Sequence, residues 1–550
     1  MKKRYTRVFS ILIALLIVNA CATFDAQYSD TYKTQSAQID SELEYSIFLI
    51  GDAGNANLGE TTPAIDNLEK KLAEASEKSS VLFLGDNIYP VGMPSKKKKK
   101  KRKLAEHRIK IQTDILKNYK GNKIFIPGNH DWYNNGLEGL KRQQEFIEKE
   151  LDSKRVFSPE NGCPLDKIKL TDDLVLITID SQWFLEDWDK HPTMNDDCPY
   201  IKSKRKFFEE FKGMLNKNGQ KNIVIAIHHP VFTNGTHGGN YSAKSHLFPI
   251  NKYIPLPGLA SFLNLVRKTS GLSPQDLQNK HYSEFADKIV TLTQPYKKVF
   301  FVSGHDHNLQ YLVKKNKPQI ISGAGSKKSA TKLGKDEGFT YGHQGYAKLN
   351  FYKDGSSKVA FYSTEKSKES KVFETIVYQK DAKKKTKSYP KEKRKTIKTA
   401  IYSKEATDKS KLYKFFWGDH YRKYYSEEIE VPLVLLDTLY GGLTPVKKGG
   451  GNQSNSIRLE DKNGKQYVMR ALKKSATRFL QSVAFQTEYV TEKFNDTQTE
   501  DLLLDFYTSA HPYTPFVVDN LSKPIGVYHT NPKLFYIPKQ NRLGMYNDEF

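Results

Sequence analysis

The sequence predicts a layered α/β domain over residues 44–366 and a smaller α+β domain over residues 410–550. Two observations favour this division. Short apolar runs alternate with amphipathic stretches, of which Ile65–Lys78 and Leu104–Tyr119 have apolar residues at helical spacing. Alternating strands and helices are typical of layered α/β folds. The composition then changes in the Lys-rich stretch 367–409, which we predict to be a charged linker.

Five apolar runs of the larger domain are predicted to be central strands. Each is rich in Val, Ile, Leu or Phe, as expected for strands covered on both faces. They are Tyr45–Ile50, Val81–Leu84, Ile124–Pro127, Asn222–Ile227 and Val299–Ser303. Further strands are predicted at Asp173–Asp180, Gln319–Ser322, Tyr346–Tyr352 and Lys358–Tyr362, the last three completing a second sheet.

The C-terminal domain is rich in Tyr and Phe, and the sequence does not reveal its function. Asn455–Glu460 and Gln466–Leu472 flank Lys462-Asn463-Gly464, a turn sequence. This pattern predicts a β-hairpin.

The N-terminus predicts export. Basic residues precede the apolar stretch Val8–Val18, which is too short to span a bilayer. Val18-Asn19-Ala20-Cys21 then resembles a bacterial lipoprotein signal, in which Cys21 is lipidated and 22–43 is a tether. The protein would then be a cell-envelope lipoprotein of the outer membrane. Ordinary cleavage, giving a soluble periplasmic protein, and an uncleaved anchor are the alternatives.

The formal charge of +25 does not by itself indicate nucleic acid binding. The 87 basic residues outnumber 62 acidic ones, but much of the excess lies in Lys96–Lys103 and Lys383–Lys398. No nucleic-acid-binding module surrounds either run, so we expect no nucleic acid partner.

Two cysteines, Cys163 and Cys198, lie in polar loops and are predicted to form a disulfide in an oxidising compartment. A thiol metal site is the alternative, but it would need further ligands at short spacing.

Five polar segments carry the chemistry, each directly after a predicted strand. They are Gly51-Asp52-Ala53-Gly54, Gly85-Asp86-Asn87-Ile88-Tyr89, Gly128-Asn129-His130-Asp131, Ile225-Ala226-Ile227-His228 and Gly304-His305-Asp306-His307. The candidate metal ligands are Asp52, Asp86, Tyr89, Asn129, His228, His305 and His307. Seven ligands suit two ions that share one carboxylate, and Asp86 is the natural bridge.

These segments resemble the calcineurin-like metallophosphoesterase superfamily, specifically its purple acid phosphatase branch. Most of the superfamily carries Asp-x-His in the first motif, whereas this chain has Gly54 at the His position and Tyr89 in the second motif. Exchanging a neutral imidazole for an anionic phenolate favours a hard trivalent ion, so Fe³⁺ is implied. The C-terminal region resembles segments that follow phosphoesterase domains in envelope proteins of Bacteroidetes-type bacteria.

The resemblance implies a β-sandwich flanked by helices, in α/β/β/α layers, and two ligand sets. Fe³⁺ would be held by Asp52, Asp86, Tyr89 and His307. A divalent Fe²⁺, Zn²⁺ or Mn²⁺ would be held by Asp86, Asn129, His228 and His305. His229 is a rival to His228, because successive strand residues point to opposite faces and only one can reach the metal.

The resemblance also implies substrate-facing residues and a reaction. His130 and His237 would contact the phosphate of a phosphorylated small molecule, and Asp131 could orient His130. The implied function is a phosphomonoesterase in which a metal-held hydroxide attacks phosphorus. The alternatives are a di-divalent phosphodiesterase acting on nucleotides or lipid head groups, and a non-catalytic envelope scaffold.

Overall fold

The structure is a computed structural model that describes residues 21–33, 38–249, 253–365, 369–380, 389, 392–449, 451, 453–494 and 497–548. The chain forms two compact units, residues 1–382 and 383–550. The predicted signal segment before Cys21 and part of the Lys-rich stretch lie outside the described residues. Among the residues that are described, no helix is both long and apolar enough to cross a bilayer.

The first unit contains both large sheets. Its strands are β1 (Gln27–Tyr28), β2 (Leu43–Ile50), β3 (Ser79–Phe83), β4 (Asn122–Phe125), β5 (Leu165–Lys169), β6 (Leu174–Ile179), β7 (Asn222–Ile227), β8 (Val299–Ser303), β9 (Leu309–Lys314), β10 (Lys317–Ser322), β11 (Glu337–Tyr341), β12 (Gly345–Tyr352), β13 (Ser357–Ser363) and β14 (Ser370–Tyr378). Its helices are α1 (Asp30–Lys33), α2 (Pro63–Ala73), α3 (Lys99–Asp114), α4 (Asn129–Trp132), α5 (Leu137–Glu150), α6 (Ser181–Leu185), α7 (Lys204–Asn218), α8 (Ala243–Leu247), α9 (Pro257–Ser270) and α10 (Lys280–Thr293).

The two sheets pack face to face with helices outside them. One has the order β1-β11-β9-β10-β8-β7-β6-β5 and the other β14-β13-β12-β2-β3-β4. A buried apolar cluster takes residues from both sheets, including Leu49, Leu84 and Val302. A second cluster joins the opposite strand faces to the helices, with Leu68 and Phe207 among its members. The predicted layered α/β fold with flanking helices is therefore confirmed.

The central strands are parallel and buried on both faces. β2, β3 and β4 run parallel in one sheet, and β6, β7 and β8 run parallel in the other. Helices connect them, and α2 begins with strong signals: the Thr62 hydroxyl accepts the Ile65 N–H at 3.4 Å and Pro63 occupies the first turn. The carboxyl ends of parallel strands meet at one edge, which collects the polar segments of both sheets.

The predicted tether over 22–43 is wrong for the described residues 22–33. Gln27 and Tyr28 add a strand to the large sheet, antiparallel to β11. The rings of Tyr28 and Tyr32 pack against Phe373 with centroids 6.2 Å away in each case. The aromatic residues of this polar segment therefore gain a core contact that its overall composition does not reveal.

The predicted linker over 367–409 is wrong as well. Residues Ser370–Tyr378 form β14, the last strand of the smaller of the two sheets, and Phe373 is buried against Phe339. Residues Thr396–Thr399 form a strand of the second unit. Many of the lysines lie between these two strands, so the charged linker is shorter than predicted.

The second unit has its own small core. Its strands are β15 (Thr396–Thr399), β16 (Ile429–Pro432), β17 (Thr444–Lys448), β18 (Ser454–Glu460) and β19 (Gln466–Lys474). Its helices are α11 (Lys404–Thr407), α12 (Lys411–Trp417), α13 (Arg422–Ser426), α14 (Ala476–Phe479), α15 (Thr491–Phe494), α16 (Gln498–Tyr507) and α17 (Val518–Ser522). The predicted hairpin is present as β18 and β19. Arg422 and Asp505, both buried, join two helices through paired hydrogen bonds of 2.7 Å.

Cys163 and Cys198 form a disulfide, the pair that the sequence predicted, with their Cα atoms 5.1 Å apart. The bond joins the loop before β5 to the loop before α7 and fixes two surface segments to one another.

Glu337 provides a test of pH dependence away from the site. Burial raises the pKa of its carboxyl from 4.5 to about 8. In the unfolded chain this proton leaves near pH 4.5, so the unfolded state binds fewer protons between pH 4.5 and 8. Stability should therefore fall as pH rises through this window, and Glu337→Gln should be more stable than wild type at pH 9 by about 2 kcal/mol.

Denaturant unfolding at pH 5 and pH 9 measures this effect. The Gln amide resembles the protonated acid and can still accept the hydrogen bonds from Asn234 and Gly334. Glu69→Gln, on the exposed face of helix α2, is the matched control and should change nothing. Equal pH dependence of wild type and Glu337→Gln would contradict the prediction.

Candidate metal centre

The predicted ligands lie at the carboxyl ends of the parallel strands. Asp52 follows β2, Asp86 follows β3 and Asn129 begins α4 after β4. His228 follows β7 in the other sheet, and the turn after β8 supplies His305 and His307. Residues more than 250 positions apart in the chain are thereby brought to one edge of the sandwich.

Asp86 lies at the centre of one group of ligands. Asp52, Asp86 and His228 are buried, and each offers a ligand atom within 4.8 Å of the others. His228 Nε2 is 3.4 Å from Asp86 Oδ1 and 3.1 Å from Asn129 Oδ1. The backbone N–H of His130 donates to Asp86 Oδ1 at 2.9 Å.

A second group lies around Tyr89. Its hydroxyl donates to Asp52 Oδ1 at 2.6 Å and lies 3.0 Å from His307 Nε2. His307 Nε2 is 3.5 Å from the same Asp52 oxygen. Asp52, Tyr89 and His307 therefore converge as the resemblance implied, beside the group centred on Asp86.

Backbone carbonyls orient two of the imidazoles. His228 Nδ1–H donates to the Leu84 carbonyl at 2.7 Å, and His305 Nε2–H donates to the Gln275 carbonyl at 2.8 Å. Each ring keeps its other nitrogen as a lone-pair donor. Metal-binding histidines in proteins are commonly fixed in this way.

This donor set fits a cation better than a hydrogen-bond network. The lone pair of His228 Nε2 faces Asn129 Oδ1 and Asp86 Oδ1, so three electron-pair donors converge. A cation satisfies such a group directly, and neutral imidazole with carboxylate suits Zn²⁺, Fe and Mn²⁺.

The backbone at the site is strained. Asp52, Asp86 and His305 have φ of 56°, 54° and 71°, in the left-handed region that non-glycine residues seldom adopt. Such strain concentrates at functional sites, where the surrounding fold enforces it.

The pKa values of the Asp52 and Asp86 carboxyls are shifted in opposite directions. Desolvation, together with the charge of Asp86, raises the pKa of Asp52 well above its ordinary value. Desolvation also opposes ionisation of Asp86, but His228, His130 and the His130 backbone N–H outweigh it and lower its pKa to about 2. Asp86 is therefore the permanently ionised member of the pair.

The remaining ligands are neutral in this environment. Burial lowers the pKa of His228 and His305, and burial with the nearby Lys327 lowers that of His307 to about 3. Burial and the carboxyl of Asp52 raise the pKa of Tyr89 well above 10. A phenolate at this position therefore requires a strongly polarising cation.

His228 rather than His229 reaches the candidate centre. The ring nitrogens of His229 bond instead to Ser181 Oγ at 2.7 Å and Gln275 Oε1 at 2.6 Å. The two side chains leave the strand end in opposite directions, as the strand alternation requires.

Asp131 does not orient His130, which corrects the sequence interpretation. Its buried carboxylate accepts the backbone N–H groups of Asn87, Ile88 and Gly128 at 3.1, 3.1 and 2.8 Å. Burial and the nearby Asp86 raise its pKa to about 7. Asp131 therefore joins the second and third motifs, because its carboxylate accepts backbone N–H groups from both.

His130 and His237, the two histidines predicted to face the substrate, are each oriented through Nδ1. His130 Nδ1 donates to the Pro90 carbonyl at 2.6 Å, and its Nε2 lies 3.9 Å from Asp86. His237 Nδ1 bonds to Asp276 Oδ1 at 2.8 Å, and its ring centroid is 3.9 Å from that of His305. Both rings are only partly buried and present Nε2 for a ligand.

Three residues at the site were not found by sequence analysis. Asp276 holds His237 and is itself held by two hydrogen bonds from Arg267, at 2.6 and 2.7 Å. Lys327 Nζ lies 3.3 Å from the centroid of the Tyr89 ring, where a cation is attracted to the π face. None belongs to a motif with fixed spacing, so the sequence carries no signal for them.

Gly54 allows the second motif to approach the first. A Cβ there would lie 2.2 Å from the backbone carbon and oxygen of Asn87. The Gly54 carbonyl accepts the Tyr89 N–H at 2.9 Å. The backbone contact that places Tyr89 therefore requires that position 54 has no side chain.

Residues 45–309 match the family described as "Calcineurin-like phosphoesterase", a range that contains all seven candidate ligands. The chain thus carries a calcineurin-like metallophosphoesterase domain. No curated protein matches the chain.

Three solved structures are similar to it at low identity. "GAP50 the anchor in the inner membrane complex of Plasmodium" is 13% identical, with a TM-score of 0.38 over 62% of this chain and 91% of that one. The purple acid phosphatase PPD1 from yellow lupin (Lupinus luteus) seeds is 12% identical, with a TM-score of 0.38 over 61% and 54%. PhoD is 11% identical, with a TM-score of 0.40 over 62% and 70%.

Proposed function

We propose that the calcineurin-like phosphoesterase domain hydrolyses phosphate monoesters at a two-ion centre of the purple acid phosphatase type. The observation that carries this proposal is the convergence of two ligand groups that share Asp52, one with Asp86 and His228 and the other with the phenol of Tyr89. When bound, two cations polarise a phosphoryl group and supply a nucleophilic oxygen at neutral pH.

The chain's own residues supply orientation and proton transfer. His130 and His237 present Nε2 on the open side of the centre, each held through Nδ1. Hydrogen bonds from these nitrogens would stabilise the charge that develops on phosphoryl oxygens, and either ring could protonate the leaving alcohol. Lys327 adds positive charge beside Tyr89 and favours an anionic substrate.

Fe³⁺ in the Tyr89 group, with Fe²⁺, Zn²⁺ or Mn²⁺ in the other, is the metal pair we propose. A trivalent ion is implied if Tyr89 is a phenolate ligand, because burial and Asp52 raise the pKa of this phenol and a weaker Lewis acid would leave it protonated. The second candidate is a di-divalent phosphodiesterase acting on nucleotides or lipid head groups, for which Tyr89 would remain a hydrogen-bond donor to Asp52.

Tyr89→Phe separates these candidates. If Tyr89 is a phenolate ligand of iron, the wild-type protein absorbs visible light, and the variant should lose that band and its iron together. Absorption spectra and elemental analysis, with a panel of monoester and diester substrates, measure this. Tyr119→Phe removes another buried phenol, which bonds to Ser79 away from the centre. This control should keep both the absorption band and the iron. An active, colourless and iron-free wild type would favour the diesterase.

We also propose that the protein is exported and attached to the cell envelope through lipidated Cys21. The Cys163–Cys198 disulfide supports an oxidising compartment. Mass spectrometry of the mature N-terminus tests the lipidation of Cys21. An unmodified N-terminal residue would favour the soluble periplasmic form. The preserved ligand set argues against a non-catalytic scaffold.

A further inference from the structure

Helix α9 presents apolar side chains to solvent. Leu259, Phe262, Leu263 and Leu265 are 45 to 60% exposed on a helix of 14 residues. Leu259, Phe262 and Leu263 recur at helical spacing and form one stripe along the helix. A stripe of this kind normally faces a protein core, so its exposure indicates a surface that is covered in use.

The opposite side of α9 is held to the protein mainly by polar contacts. Asn264 Nδ2 donates to the Ser245 carbonyl at 3.1 Å, and Arg267 binds Asp276 through two nitrogens. Ala260 is the buried apolar residue on this side. The helix is therefore anchored with its polar side inward and its apolar side outward.

The neighbouring segment extends this surface. Leu247, at the end of α8, and Leu256, just before α9, are both exposed, and the Leu256 N–H donates to the Leu247 carbonyl at 2.8 Å. Lys244 and Lys268 are exposed on the same two helices. We name the residues Leu247, Leu256, Leu259, Phe262, Leu263 and Leu265 the apolar face. Apolar residues flanked by lysines are the composition of helices that bind anionic lipid surfaces.

The chain places Cys21 beside the start of α8. The Ala22 N–H donates to the Tyr241 carbonyl at 3.0 Å, and Ala22 forms a parallel bridge with Ser242. Ser242 caps α8, and α8 contacts α9 through His246 and Ser261 at 3.2 Å. The residue that we propose is lipidated thus directly precedes a backbone contact with Ser242, the residue that caps α8, the helix next to α9.

We propose that the apolar face docks on the surface of a lipid bilayer, with α9 lying in the interface. One acyl anchor gives only marginal membrane affinity, and a second apolar contact makes attachment stable. The continuity between Ala22 and α8 selects a lipid surface as the occupant rather than a second copy of the chain. This inference is independent of the reaction that the metal centre catalyses.

Vesicle binding of three variants tests the proposal. Residues 21–550 with Cys21→Ser, the form that signal cleavage at Cys21 would leave, provide the protein without an acyl anchor. The test variant adds Leu259→Gln, Phe262→Gln and Leu263→Gln, which preserve helix propensity. We expect its partition into vesicles of phosphatidylcholine and phosphatidylglycerol, measured by flotation, to fall by at least roughly ten-fold, since the variant loses three apolar side chains that the bilayer interface would bury.

The matched control changes the same kinds of side chain on helix α12 of the second unit, which is also exposed. Leu412→Gln, Phe415→Gln and Phe416→Gln remove comparable apolar area and should leave partition unchanged. Circular dichroism and thermal unfolding check that each variant is folded. An equal loss in both variants, or none in the α9 variant, would overturn the proposal.

Two further measurements distinguish a lipid surface from a second copy of the chain as the partner of the apolar face. A fluorophore on Leu263→Cys should shift to shorter wavelength and be quenched by nitroxide-labelled lipid, which supports docking at this helix. Sedimentation velocity without lipid should show the same species for wild type and the α9 variant. A dimer that the α9 substitutions dissociate, with no vesicle binding, would assign the face to a second copy and refute the lipid surface.

Discussion

Asp86→Asn is expected to lower kcat on an aryl phosphate by at least about 10³-fold, or on the order of 4 kcal/mol of transition-state stabilisation. The carboxylate of Asp86 lies in the buried ligand group with Asp52 and His228 and is ionised even when buried, with a pKa near 2. Losing this charge should weaken both ion sites together. Elemental analysis of the purified variant should therefore show metal content well below that of the wild type.

Asn is the informative substitution because Asp86 has φ of 54°. Asn tolerates this left-handed conformation, so the backbone should hold while the charge is removed. Asp172→Asn is the control, since its side chain is 91% exposed and pairs only with Lys169 on the surface. Wild-type rates with a full complement of metal in Asp86→Asn would exclude the proposed centre.

His237→Gln is expected to slow hydrolysis of an alkyl phosphate by about 10²- to 10⁴-fold, the usual contribution of a general acid. Its Nδ1 is held by Asp276, so Nε2 is the atom presented to a leaving group. The loss should be much smaller for an aryl phosphate, whose leaving group departs without a proton. The ratio of the two kcat/KM values is the measurement.

His281→Gln is the matched control, because His281 is exposed at the start of α10 and away from the ligand groups. A fall that is equal for the two substrates would show that His237 binds phosphate without donating a proton, and His130 would then be the better acid. Unchanged rates on both substrates would remove His237 from the site.

The strands and the ligand set were predictable because each rests on local signals. Continuous apolar runs such as Val299–Ser303 have few alternatives to a buried parallel strand. A carboxylate, amide or imidazole directly after such a run must lie at the sheet edge, so Asp52 and His228 could be located before any contact was known. Strand alternation predicted that only one of His228 and His229 could reach the centre, and the structure shows that it is His228.

The errors arise where distant contacts outweigh local composition. Residues 22–33 and 370–378 look polar, but Tyr28 and Phe373 find apolar partners in strands far along the chain. Asp131 resembles an orienting residue by position alone, and its actual partners are backbone donors that depend on how two turns meet. Asp276 reaches His237 only because α9 and α10 fold back over the site, which no spacing rule describes.

The close approach at Gly54 constrains how such a site could have evolved. A histidine introduced there would collide with the backbone that delivers Tyr89, so it could not simply be added as an eighth ligand. Any side chain at position 54 would displace the Asn87–Ile88 backbone and, with it, the turn that leads to Tyr89, so a change at this position would require a compensating change in that turn.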